Sequence, residues 1–346
     1  MKMKLIYSLG AVLVLGSTAN AQLTFNFQAD AGQSIPTNVA QAFQDAGDRW
    51  SAIFNDNVTI NINMGWTNLG AGILGAAGSS GVAGSYSTIR NSMINDVTSV
   101  DDATATANLP TTSLSFYTNR NANNGNSATP YLDNNGSTNN TTARMNRAAA
   151  KALGLVSGTS TVVDATIYFS SAFSWDFDPT NGITAGQFDL VGVATHEIGH
   201  ALGFTSGVDS LDTHSNTSQG EDSFLLSTLD FFRFSDQTGS AARDFTANNN
   251  AKYFSIDNGA TAGPLFSNGQ VFGDGRQASH WKDNLGIGIM DPTAAPGELG
   301  VISGNDIMAL DVIGWDRVDA VPEPTTMAIL GAGALALLRK RRKNNA

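Results

Sequence analysis

A chain of 346 residues with 41% hydrophobic content is long enough to bury a sizeable core, as one large or two modest domains. It has no cysteine, which excludes a disulfide framework, thiolate metal ligands and a cysteine-based latency switch. The formal charge of −11 understates the acidity of the body: with seven cations and one acid in the end segments set aside, 12 basic and 29 acidic residues remain, a net of about −17. Such a surface repels nucleic acid and anionic membranes, so neither is an expected partner.

Residues 1–21 combine a basic MKMK start, an apolar LIYSLGAVLVLG run and Ala19-Asn20-Ala21, an A-x-A cleavage pattern. This reads as an export signal cleaved after Ala21, since the apolar run falls short of the roughly 20 residues that span a bilayer. LTFNFQA then alternates as a strand, and Val39, Phe43, Ala46, Trp50 and Phe54 recur at helical steps within Asn38 to Phe54. DNVTININMGW returns to strand alternation, so the body opens as βαβ.

Residues 67–84 are rich in Gly, Ala and Ser and read as a loop without assigned function. Tyr86 to Val100 and Ala143 to Leu155 read as short helices, separated by an Asn- and Thr-rich tract expected to be a solvated surface loop. Asp164 to Ser170 is a further strand. The loop SWDFDPTNG offers Asp176 and Asp178, but Gly182 comes one place late for an EF-hand and Gln187 stands where an acid should close it; a structural Ca²⁺ there is unsupported.

Leu190 to Gly203, LVGVATHEIGHALG, carries the chemistry. Residues four apart share a helix face, so His196 and His200 can present two imidazoles to one Zn²⁺ with Glu197 beside them, the H-E-x-x-H arrangement of a metalloprotease helix. With four His and four Glu in the chain, chance would produce this pattern roughly once in two thousand shuffled sequences. Asp189 is the expected N-cap and Gly203 the expected stop. Beyond it lie a polar stretch from Val208 to Asp222, an apolar segment from Leu225 to Phe234, a short strand at Lys252 to Ile256, the stretch SHWKDNLGIGIMDP, and a final helix started by Ser303-x-x-Asp306.

A catalytic zinc needs three protein ligands and an open position. His280, His214, Glu221, Asp209 and Asp212 are the remaining candidates. The extended pattern H-E-x-x-H-x-x-G resembles the metzincins, in which a glycine ends the helix; the usual position of the third ligand falls here on Ser206. Ser279-His280-Trp281 followed by Ile289-Met290-Asp291-Pro292 is similar to the leishmanolysin-like branch, with its long insertion before the third histidine and a methionine turn. That resemblance, over roughly residues 190–315, implies His280 as third ligand, Met290 in the turn beneath the metal, and an α+β metzincin-like fold: a twisted mixed sheet over the active-site helix and a looser, mainly irregular C-terminal part. Glu221, 21 residues after His200, instead resembles the thermolysin-like spacing.

At the far end, Val321-Pro322-Glu323-Pro324, an apolar run and the cluster Arg339-Lys340-Arg341-Arg342-Lys343 resemble the PEP-CTERM sorting signal of Gram-negative bacteria. The resemblance implies transient inner-membrane anchoring, recognition by an exosortase-type processing enzyme and release to the cell surface; contact with membrane is expected only through this segment. The expected organisation is a signal peptide at 1–21, an N-terminal subdomain at 22–203, a C-terminal subdomain at 204–318 and the sorting segment at 319–346. The expected function is an exported zinc-dependent endopeptidase acting on protein or peptide substrates with Glu197 as general base. The rival from another class is a non-catalytic surface or biofilm-matrix protein that keeps such a fold.

Overall fold

β1 (Thr24–Ala29), α1 (Thr37–Ser51) and β2 (Thr59–Thr67) form the βαβ opening that the periodicities predict. β1 and β2 run parallel with Phe25 beside Ile60, and α1 buries Val39, Phe43, Ala46 and Trp50. The computed structural model describes residues 22–119, 129–214, 217, 219–236 and 241–318, so the expected signal peptide and sorting segment lie outside the described residues.

Residues 67–84 depart from the expected loop, because they contain β3 (Gly75–Ser79) and β4 (Gly81–Ser85). Small side chains hide the alternation there, and the reason for them is crowding: a Cβ on Gly75 would lie 2.9 Å from the Phe169 ring. The single helix expected from Tyr86 to Val100 is two, α2 (Tyr86–Asn95) and α3 (Val100–Ala107). α3 begins anew because Ser99 and Asp102 form a capping box. β5 (Phe116–Thr118), β6 (Tyr131–Asp133) and α4 (Thr138–Thr141) follow. The expected solvated loop is therefore partly structured, and Asn139 and Asn140 are buried; the Asn139 amide reaches the Asp133 carboxylate at 2.8 Å, which satisfies what would otherwise be a costly buried group.

The helix expected from Ala143 begins instead as β7 (Thr142–Asn146), since β4 takes up its backbone groups in an antiparallel ladder, and only then becomes α5 (Arg147–Ala152). β8 (Ala165–Ser170) completes the main sheet in the order β1-β2-β8-β3, parallel throughout except for β3, the antiparallel edge. β9 (Trp175–Asp176) and β10 (Phe188–Asp189) lead into α6 (Leu190–Leu202), which packs against α1 and β3.

After α6 come α7 (Val208–His214), β11 (Arg233–Ser235), β12 (Ala242–Phe245), β13 (Lys252–Phe254), β14 (Leu265–Phe266) and α8 (Gly304–Asp311). The second half is more ordered than its composition suggests, supplying four strands to a six-stranded sheet β14-β13-β11-β12-β5-β6. Among the described residues the architecture is mixed α+β with several sheets and eight helices. Buried residues on both sides of Gly203 belong to one hydrophobic cluster.

α5 is tied to the sheet by a buried ion pair. Lys151 Nζ lies 2.5 Å from Asp164 Oδ2, with both side chains inaccessible, and donates to the Thr59 carbonyl at 2.7 Å. Asp164 also accepts from the Asn61 amide at 2.8 Å. Removing the acid strands a buried ammonium, so Asp164→Ala should lower the unfolding free energy by about 3–5 kcal/mol in chemical denaturation. A loss below about 1 kcal/mol would mean that Lys151 finds water in the native state.

Candidate metal site

α6 is apolar on nearly every face and is held at both ends. Asp189 accepts the Gly192 amide at 2.7 Å as N-cap, and its other oxygen takes the Gly300 amide at 3.0 Å. Gly203 ends the helix at φ 131°, a conformation unfavourable for other residues. Trp50 and Trp315 donate their indole N–H groups to the Thr195 and Leu202 carbonyls, each at 2.9 Å. The helix is thereby fixed between α1, which carries Trp50, and the segment that follows α8, which carries Trp315.

His196, His200 and His280 meet at one point. Their Nε2 atoms lie 3.0 Å apart for His196 and His200, 3.1 Å for His200 and His280, and 3.2 Å for His196 and His280. Each Nδ1 faces a backbone carbonyl: Ile289 at 2.7 Å, Phe204 at 2.7 Å and Gln277 at 3.2 Å. A carbonyl can only accept, so each Nδ1 carries the proton and each neutral ring turns an unprotonated Nε2 toward the other two. Burial lowers all three pKa values, that of His200 to about 3, with the neighbouring histidines adding to the effect at His200 and His280.

Three facing lone pairs repel unless a cation lies among them. Two ligands about 2.05 Å from a tetrahedral ion stand about 3.3 Å apart, close to the spacing found here, so the donor set fits Zn²⁺. Among the described residues this is the one group of His, Cys, Asp or Glu side chains placed to hold a metal. The carboxylates of the SWDFDPTNG loop are engaged locally, Asp176 with the Asp178 and Thr184 amides and Asp178 with the Thr180 amide.

The other candidates stand elsewhere. Glu221 accepts from the Tyr131 hydroxyl at 2.7 Å and the Asn135 amide at 3.1 Å, and His214 is exposed at the end of α7. Asp212 caps a turn through the Val271 and Phe272 amides at 2.7 and 2.9 Å. Asp209 supports the third histidine instead: it accepts from the Ala278 amide at 2.6 Å and from the Ser279 hydroxyl. Burial pushes its carboxyl up to about 6, against those hydrogen bonds.

Met290 lies fully buried in the turn that follows, directly under α6. A Cβ on Gly199 would come within 2.5 Å of the Met290 sulfur, so the glycine inside H-E-I-G-H is what lets the turn approach. Asp306 fixes that turn. Its carboxylate accepts the Ile289 amide at 2.9 Å, the Met290 amide at 3.3 Å and the Trp281 indole at 2.8 Å, while also completing the α8 capping box. The Ser303-x-x-Asp306 pattern encodes the capping box, whereas no local pattern encodes this second duty.

Glu197 is buried at the wall of a cleft of about 1060 Å³ that the three histidines also line. Burial alone pushes its carboxyl up to about 8. β3 passes so close that a Cβ on Gly75 would lie 2.8 Å from Glu197 Oε1. Gly75 is the residue of this site that composition concealed, since a glycine-rich stretch gives no periodic signal.

The placement yields a direct test by metal titration. His280→Ala should weaken Zn²⁺ binding by more than about a hundredfold, whereas His214→Ala and Glu221→Ala should bind as the parent does. Loss of zinc in Glu221→Ala with His280→Ala unaffected would overturn the assignment.

Residues 320–343 match the PEP-CTERM protein-sorting motif. No curated protein and no solved structure matches the chain. Among the described residues no helix is long and apolar enough to cross a membrane. The chain thus carries a PEP-CTERM signal for membrane-anchored sorting to the cell envelope, of the kind recognised by exosortase-type processing enzymes.

Proposed function

We propose that this protein is a zinc-dependent endopeptidase of metzincin type, released at the cell surface of a Gram-negative bacterium. The observation that carries the reading is the convergence of three deprotonated Nε2 atoms within 3.0–3.2 Å of one another, on a cleft that Glu197 shares. His196, His200 and His280 would hold the ion, which supplies a Lewis acid and lowers the pKa of water toward neutrality.

The chain's own residues do the rest. The free edge of β3 borders the cleft, and an extended peptide can pair with it as an added strand, antiparallel to β3. Glu197 takes the proton of the attacking water as its oxygen adds to the scissile carbonyl, holds it on the carboxylate, and delivers it to the departing amine nitrogen. Its buried position favours the protonated form needed for the second half of that exchange. The matrix-protein alternative leaves two features without purpose: a carboxylate buried beside the histidines, and a bare glycine on β3 that gives it room.

Glu197→Gln should bind one Zn²⁺ as the parent does while peptide hydrolysis falls by about 10²- to 10⁴-fold. Parental hydrolysis by this variant would refute the proposed role. For the sorting signal, mass spectrometry of protein recovered from the native envelope should find chains that end near the Pro322-Glu323-Pro324 motif. Recovery of membrane-embedded protein still ending at Ala346 would argue for a permanent anchor.

A further inference from the structure

Eleven Lys and Arg side chains lie among the described residues, and ten of them engage a protein acceptor: Arg49, Arg90, Arg147, Lys151, Arg233, Arg243, Lys252, Arg276, Lys282 and Arg317. Arg144 is the exception. Its backbone is held in β7 and by the Leu226 carbonyl at 2.9 Å, but its guanidinium donates no hydrogen bond among the described residues. The side chain is exposed, and it lines the same cleft as the histidines and Glu197.

The fold makes room for this free cation. Gly81, on the neighbouring strand β4, is bare beneath it: a Cβ there would lie 2.3 Å from Arg144 Nε and 2.9 Å from Nη2. Any other residue at 81 would displace the guanidinium. Arg144 shares a strand face with Asn146, two residues on, whose amide reaches the His200 carbonyl at 2.6 Å. A two-residue step along a strand is about 6.8 Å, which places Arg144 some two or three peptide residues from the histidines.

Among the described residues, none of the acids lining the cleft forms an ion pair with Arg144. Asp189 accepts two backbone amides, Asp209 accepts from the 278–279 segment, Asp291 accepts the Thr293 amide, and Glu298 accepts the Ala295 amide. Arg276, the other cation of the cleft, is paired with Asp283. A body with a net charge of about −17 repels acidic peptides everywhere else. A planar guanidinium with open donors is the group that binds a carboxylate through two parallel hydrogen bonds.

We infer that Arg144 forms an anion-recognising subsite that selects peptide substrates carrying Asp or Glu close to the scissile bond, on its N-terminal side. The side follows from the strand geometry. In chain order Gly75 at the start of β3 lies beside Glu197, Ser79 at its end beside the His200 carbonyl, and Gly81, which opens β4 two residues on, beneath Arg144. A peptide antiparallel to β3 therefore meets Arg144 with residues that precede the cleaved bond. The inference rests on the proteolytic reading above for its substrate class.

The test uses the full body with its zinc and two readouts. Cleavage-site profiling on a proteome-derived peptide library should show Asp and Glu enriched two to four residues before the cut, and Arg144→Glu should replace that preference with Lys and Arg. Within each variant, the ratio of kcat/KM for a Glu peptide to that for its Gln twin should be about tenfold in the parent, smaller but still above one in Arg144→Lys, which keeps the charge and loses the paired donors, and inverted in Arg144→Glu. Because each ratio is internal, a general loss of fold or activity does not mimic the result. Anisotropy of the same two labelled peptides on Glu197→Gln reads recognition without turnover. Absence of all hydrolysis with retained Glu-over-Gln binding would defeat the proteolytic reading and leave the anion subsite standing. Equal ratios in parent and Arg144→Glu, or acids enriched only after the cut or as a terminal carboxylate, would overturn the inference.

Discussion

Three imidazoles can turn bare nitrogens toward one another only if something else settles where their protons go. Here the backbone does so: the carbonyls of Ile289, Phe204 and Gln277 each claim one Nδ1 proton. These acceptors come from the turn containing Met290, the exit of α6 and the approach to His280. The tautomers of the three histidines are thus set by chain path rather than by side-chain partners. Much of the architecture serves that path: the two tryptophans that pin α6, the Asp189 link to Gly300, and the aromatic packing of Phe204 against Trp281 at 4.8 Å.

Close approach of backbones is the second condition, and glycine provides it. Gly199 admits the Met290 sulfur from below, Gly75 leaves space for Glu197 above, and Gly192 faces Gly300 across the helix start, where a Cβ would come within 3.1 Å of the Gly300 Cα. Each such residue weakens its own helix or strand by roughly 0.5–1 kcal/mol relative to alanine. Against that local cost stands the buried cluster that runs through both halves of the body. Asp209 and Arg233 extend the same economy of support to the third histidine, gripping the 278–279 segment from its two polar sides.

Where one short stretch carried both cause and effect, the sequence could be read directly. α1, β2, α6 with Asp189 and Gly203, and the Ser303 to Asp306 box all declare themselves through period or capping chemistry. The placement of His280 and Met290 came from a resemblance, since no local signal joins residues 80 positions apart. Elements whose partners lie far off in sequence carry no such local signal. β3 and β4 lack side chains large enough to alternate, Asn139 and Asn140 bury because Asp133 and its neighbours satisfy them, and β7 is a strand because β4 pairs with it. The duty of Asp306 at the turn was equally invisible, because its acceptor geometry depends on a chain reversal that only the tertiary structure reveals.

That duty imposes an order of assembly. The same carboxylate that caps α8 also clasps the 289–290 turn, and Trp315, near the end of the described body, anchors the helix bearing the first two histidines. A chain emerging from its amino terminus therefore holds an incomplete histidine cluster until almost its whole length is available. His196 and His200 sit on a helix that can form early, and Asp209 and Arg233 can hold the 278–279 segment, whereas the 289–290 turn lacks its Asp306 clasp until residues 303–315 arrive. Completion of the cluster thus waits on contacts that are distant in sequence from α6, the kind that form slowly because a long loop must close first.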